Sequence, residues 1–253
     1  MRAGCGMSWL GLSRLAAWAR QGPPEPPLLA SPRRDAVIAA VAAALTAAVF
    51  IVAADSAVLA HIQRLDDAWL RLMISGRTAP VTAIAKVFNV LGLVYVTLPV
   101  RIAVIGYLGF RRRWWRLAAF ASAVLLSEIL IGTLKGAWDR ARPPGSLVAT
   151  SGASFPSGHS IAASVTVLAM VIALVPAGPR RVAWAFAASI FAVMMAASRA
   201  YLGAHWLSDA IAGLLLGITC ALITASAVDQ AQRRYARPAA PAAARSVPSA
   251  DRR

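Results

Sequence analysis

The chain has 253 residues, 59% of them hydrophobic and only 14% charged, with a formal net charge of +16. So apolar a composition excludes an ordinary soluble domain, because too few polar side chains remain to cover a water-facing surface. The basic excess does not describe a nucleic-acid surface either, since the Lys and Arg residues punctuate long apolar runs instead of gathering on one face.

The first 34 residues hold a short basic amphipathic stretch, Trp9 to Arg20, and a Pro-rich linker containing PPEPP. They read as a disordered leader, with contact to an anionic leaflet as the alternative. Arg14 and Arg20 interrupt any signal-peptide core. Six stretches then reach the roughly 20 residues that cross a bilayer: 36–54, 89–110, 115–134, 158–176, 182–200 and 206–227. The second contains Pro99 and Arg101, and the apolar residues from Pro80 to Val90 before it read as a lead-in helix along the interface. Residues 55–88 otherwise read as a loop. Beyond Gln230 the Ala-, Pro- and Arg-rich tail reads as disordered, giving a leader (1–34), a membrane domain (35–229) and a cytoplasmic tail (230–253). Cys5 and Cys220 fall too far apart along this layout to form a disulfide framework. With both termini inside, seventeen Lys and Arg residues lie on the cytoplasmic side and eight on the other. The positive-inside rule selects that orientation. The expected fold is all-α, a six-span transmembrane bundle of the inner (plasma) membrane with its polar clusters at the outer membrane–water interface, facing the periplasm or exterior.

Three clusters stand at span ends: KGAWDRARP (135–143), FPSGHS (155–160) and SRAYLGAHWLSD (198–209). A phosphate monoester carries nearly two negative charges, and its transfer spreads charge over three oxygens, so a site for it needs several fixed cations. Lys135, Arg142 and Arg199 supply them, two of them as planar forks that grip paired oxygens. Pro143 and Pro144 keep a helix from running past Arg142. In FPSGHS a turn opens an apolar run, and the unpaired amides of a helix's first turn make a phosphate seat. Ser157 is either a hydroxyl donor there or a plain N-cap. His159 is either the acid that protonates a leaving alkoxide or an interfacial histidine. His205 and Asp209 are four residues apart and share one helical face. Asp209 can accept the ring N–H of His205 and leave the other nitrogen's lone pair facing phosphorus; a purely structural pair is the alternative. Trp114, Tyr201 and Trp206 read as interfacial belt aromatics. Glu128 reads as facing the bundle interior beside a polar neighbour, and Asp139 with Arg140 as an exposed pair of little energetic worth.

This order and spacing resemble the type 2 phosphatidic acid phosphatase superfamily, which groups lipid phosphate phosphatases with vanadium haloperoxidases. Its pattern is Lys, six residues, Arg-Pro; then Pro-Ser-Gly-His; then Ser-Arg, five residues, His, three residues, Asp. Lys135 with Arg142-Pro143, Pro156 to His159, and Ser198-Arg199 with His205 and Asp209 match every position. The resemblance implies a phosphohistidine on His205, His159 as general acid, and Lys135, Arg142, Ser157, Gly158 and Arg199 as phosphate ligands, with no metal and no cofactor. It implies a membrane enzyme acting on a lipid phosphate, whether phosphatidate, phosphatidylglycerol phosphate or undecaprenyl diphosphate. A phosphotransferase that passes the group to another lipid or sugar, and a lipid-phosphate binding or transport protein, are the alternatives. Polar groups at span ends, not at mid-membrane, weigh against transport.

Overall fold

Among the described residues every long apolar run is helical over most of its length. The structure, a computed structural model, describes residues 25–236, so Trp9 to Arg20, Cys5 and the tail beyond Ala236 lie outside the described residues. The helices are α1 (Pro32–Ala54), α2 (Ser56–Ser75), α3 (Ala79–Leu91), α4 (Val94–Phe110), α5 (Trp114–Ala137), α6 (Gly158–Leu174), α7 (Pro179–Tyr201) and α8 (Leu207–Ala236). Prolines open α1, α3 and α7 in the first turn, where the missing N–H would have no intrahelical partner anyway. Asp55 caps α2, its carboxylate accepting the amides of Ala57 and Val58 at 2.8 and 3.1 Å. Residues 55–88, expected as a loop, are therefore mostly two helices. Charged residues interrupt α2 too often for it to carry the apolar run that marks a span.

Four helices, α1, α5, α7 and α8, are long and apolar enough to cross a membrane, and α3 with α4 makes a fifth crossing bent by 52°. The remaining expected span is α6, apolar but only 17 residues long, or about 25 Å at 1.5 Å per residue. The expected six-span bundle is thus four full spans, one bent pair and one short helix. Large apolar side chains on α1 (Val37, Val41, Leu45, Ile51) and α7 (Val182, Trp184, Phe186, Ile190) point outward, as a lipid-facing surface requires.

At the centre, α8 packs against α6 through two glycines four residues apart. A Cβ on Gly217 would fall 2.0 Å from Ser164 Oγ and 2.6 Å from the Ile161 carbonyl, and one on Gly213 would fall 2.5 Å from the Ser157 carbonyl. Small residues at this spacing let two membrane helices approach backbone to backbone. That contact holds the FPSGHS turn against the start of α8. Gly217→Leu is expected to cost more than the 1–3 kcal/mol typical of overpacking, and to abolish the monodisperse peak in detergent size-exclusion chromatography. Gly132→Leu, where no atom lies within 4 Å, is expected to keep it.

Arg101 is buried in α4, where it donates to Glu128 at 2.6 Å and to Thr166 Oγ1 at 2.9 Å. This explains a cation inside a span, and it is the polar partner expected for Glu128. At one end of the bundle Leu28 is fully buried, the Leu29 amide donates to Asp229 at 3.0 Å and Arg181 donates to the Leu28 carbonyl at 2.5 Å. The Pro-rich linker is therefore packed from Glu25 onward, and α8 runs past the expected boundary at 230 to Ala236. Side chains from α8 and α7 bind this segment, which a composition-based reading of it alone does not include. The same end carries Arg116 and the Arg111–Arg113, Arg180–Arg181 and Arg233–Arg234 clusters. The three motif clusters lie at the other end.

Candidate active site

His205 sits in the turn between α7 and α8, which Gly203 makes possible by adopting a φ of +68°. The ring is buried, and both of its nitrogens have partners that fix its state. Nδ1 lies 2.7 Å from the Ser154 carbonyl, which can only accept, and Nε2 lies 3.2 Å from Arg142 Nη1, which can only donate. The imidazole is therefore neutral, protonated on Nδ1, with its Nε2 lone pair directed at the cations. Burial, with the charges of Arg142 and Arg199 adding to it and Asp209 opposing, holds its pKa below the ordinary histidine value.

Asp209 does not accept the ring proton as the four-residue spacing suggested. Its Oδ2 stands 3.8 Å from Nδ1, beyond hydrogen-bond range, and accepts instead from Ser154 Oγ at 2.5 Å and the Trp206 amide at 3.0 Å. The second contact is half of a capping box that starts α8. Ser154 thus stands between the two, its hydroxyl on the carboxylate and its carbonyl on the ring. Arg140 is the larger departure. Far from pairing with Asp139 at the surface, it is partly buried and donates to Asp209 Oδ1 at 2.5 Å and to Asp66 Oδ2 at 2.7 Å. Trp206 and Tyr201 are likewise buried and bonded, the indole to the Ala141 carbonyl at 2.8 Å and the phenol to Thr82 at 2.9 Å. Of the three expected belt aromatics only Trp114 is exposed.

The three motif cations converge around this imidazole, with mutual repulsion among Lys135, Arg142 and Arg199. Arg142 holds the loop before α6 by donating to the carbonyls of Ser151, Gly152, Ala153 and Ala204 at 2.7–3.2 Å. Only its N–H on His205 is directed away from the backbone. Burial pushes its pKa down, with Asp209 opposing. Arg199 is buried at the end of α7 and donates to Asn89 Oδ1 of α3, while its Nε has no partner. Lys135, at the end of α5, lies against Gly158, where a Cβ would fall 3.7 Å from its Cε. Ser157 caps α6 by accepting the Ser160 amide and hydroxyl at 3.4 and 3.0 Å. In the next turn position, His159 buries an Nε2 without a partner. Its ring rests on Gly92, at the α3–α4 bend, where a Cβ would fall 2.4 Å from the ring.

All eight residues singled out from sequence gather at this one end of the bundle. Sequence reasoning missed Asp66, Asn89, Gly92 and Ser154, and misassigned Arg140. Asp66, Asn89 and Gly92 sit 43 or more residues from the nearest cluster, on or at the end of helices with no motif of their own. Arg140 lies only two residues before Arg142, inside the first cluster, and was the one legible signal.

The PAP2 superfamily model matches residues 116–233, which contain all three clusters. Phosphatidylglycerophosphatase B of Bacillus subtilis (strain 168) is 29% identical over 175 residues, covering 65% of this chain and 78% of that protein. Among solved structures, the transmembrane PAP2 type phosphatidylglycerolphosphate phosphatase from Bacillus subtilis superposes with a TM-score of 0.62 at 23% identity. That match covers 83% of this chain and 98% of the other, and supports the fold. LpxE of Aquifex aeolicus matches with a TM-score of 0.50 at 25% identity, over 61% of this chain and 91% of its own. Its motifs, its helical fold and these relatives agree in making the chain similar to the PAP2 superfamily over residues 116–233.

Proposed function

We propose that this protein is an integral membrane lipid phosphatase that hydrolyses a phosphate mono- or diphosphate ester through a phosphohistidine on His205. One observation carries the reading: Lys135, Arg142 and Arg199 crowd around a neutral imidazole lone pair, and among the described residues none of the three forms a carboxylate ion pair. A bound dianion relieves that repulsion and gives the orphaned Arg199 Nε an acceptor.

The geometry supports the following reaction. The phosphoryl group is held by the three cations, the Ser157 hydroxyl and the amides that open α6. Nε2 of His205 attacks phosphorus as the Arg142 N–H moves from Nε2 to a phosphoryl oxygen. The bond from phosphorus to the lipid oxygen breaks, and His159 gives that oxygen a proton. The Ser154 carbonyl keeps the Nδ1 proton, and Asp209 favours the positive charge that develops on the ring. Water then attacks the phosphohistidine, giving its proton to His159 and releasing phosphate and the free imidazole.

The lipid-facing surface and the names of the relatives support a glycerophospholipid carrying a terminal phosphate as substrate. The basic end supports cytoplasmic termini and an outward site. The test is phosphate release by the detergent-purified protein, in EDTA, from phosphatidate, phosphatidylglycerol phosphate and undecaprenyl diphosphate. Release from at least one, inhibited by vanadate, is expected, because each step uses only protein groups and water. Release from none, with transfer to an added lipid or sugar acceptor instead, would replace hydrolysis with phosphotransfer.

A further inference from the structure

We propose that Arg140 and Asp66 are a positioning pair that sets the orientation and effective charge of Asp209 and, through it, of His205; this rests on the histidine mechanism above. Arg140 lies in the loop after α5 with its side chain only 9% exposed. One guanidinium nitrogen donates to Asp209 Oδ1 at 2.5 Å and Ser208 Oγ at 2.8 Å, and the other to Asp66 Oδ2 and Gln63 Oε1, both at 2.7 Å. The group also lies 5.6 Å above the centre of the Trp206 ring. Asp66, on α2, accepts in addition from the Ser208 amide at 2.9 Å and hydroxyl at 2.6 Å. A continuous chain therefore runs from Asp66 through Arg140, Asp209 and Ser154 to Nδ1 of His205, linking α2, two loops and the start of α8.

Stability alone does not account for this arrangement, because a buried ion pair contributes little over a well-packed apolar substitute. One arginine would suffice to neutralise Asp209. A second carboxylate on the same cation draws its charge back toward α2 and leaves Asp209 more anionic. That favours the imidazolium character that His205 gains on phosphorylation. The other charged or titratable groups facing His205 are Arg142 from the loop, Arg199 from α7 and His159 from α6, with Lys135 from α5 beside the two arginines. All of these are cations or histidine, so the Asp209 side provides the opposing charge.

The test uses Arg140→Gln and Asp66→Asn in the full-length protein, on a lipid that the wild type hydrolyses; a wild type inactive on every lipid would overturn the mechanism itself, not this pair. Each variant is expected to lower kcat about ten- to a hundredfold, the usual loss for a removed orienting partner. Inhibition by inorganic phosphate should stay within about twofold, because the motif cations that bind it are untouched. The acid limb of kcat/KM on a common substrate should move in opposite directions. Arg140→Gln leaves Asp209 uncompensated, raises the His205 pKa and moves the limb to higher pH. Asp66→Asn gives Asp209 the whole of the Arg140 charge, lowers the His205 pKa and moves the limb to lower pH. If Arg140→Gln fails to fold, Arg140→Lys, which reaches only one carboxylate, takes its place and should lose kcat with phosphate inhibition retained. Limbs that move the same way, or phosphate inhibition weakened as much as kcat, would overturn the proposal.

Discussion

His205→Ala is expected to lower kcat by about 10⁴-fold or more, the scale on which covalent enzymes lose activity without their nucleophile. The fold should survive. The ring makes one hydrogen bond to the Ser154 carbonyl and one from Arg142, and the second is on the side of the proposed substrate position. Losing them should cost about 1–3 kcal/mol, or several degrees of melting temperature in detergent. Lys135, Arg142 and Arg199 remain, so the variant should still bind inorganic phosphate, read by its protection against thermal unfolding. Loss of turnover with retained phosphate binding would separate a nucleophile from a binding residue; turnover near the wild-type rate would remove His205 from the chemistry.

Gly92→Ala is expected to lower kcat by about 10²-fold through a single methyl group, the loss that a misplacement near 1 Å brings to a reacting group. Gly92 has φ −85° and ψ −6°, a conformation open to any residue, so the backbone does not resist the change. The obstruction is steric: the new Cβ falls 2.4 Å from His159 Cδ2 and 3.1 Å from Met195 Sδ. The imidazole has to move, and with it the proton that the proposed mechanism has it give the leaving oxygen. The loss in the phosphorylation step, read as the burst of released alcohol, should therefore be large for a lipid alcohol and small for a nitrophenyl phosphate, whose leaving group needs no acid, while hydrolysis of the phosphohistidine slows on both. Gly106→Ala in α4, with nothing within 4 Å, is the control and should behave as wild type. Equal losses in the phosphorylation step on the two substrates would show that Gly92 acts by some route other than His159.

The contrast between these two residues marks what the sequence made legible. His205 stood out because its motif is local: four residues to Asp209, six from Arg199, and at the end of an apolar run whose length alone implies a span. Gly92 carried no signal, since its role exists only where the α3–α4 bend meets α6. The short α6 was overestimated as a span because apolarity does not reveal where a helix stops, and Val175 ends it with extended backbone. The Asp209 hydrogen bonds were misread for a related reason. Helical spacing brings two side chains to one face, but here Ser154, from a loop 51 residues before His205, reaches between them. Asp139 and Arg140, read as a neighbouring pair, separate because α2 and α8 offer Arg140 two buried carboxylates, and a cation taken out of water goes to such partners.

The most direct measurement is rapid acid-free quenching of the His159→Ala protein during turnover of nitrophenyl [³²P]phosphate, followed by peptide mapping. This substrate can phosphorylate the enzyme without an acid, while the missing base slows hydrolysis, so label should accumulate. The account predicts an acid-labile, alkali-stable phosphoryl group on the peptide containing His205, absent from the His159→Ala/His205→Ala double variant. Turnover without label on His205, or label on Ser157 instead, would contradict it.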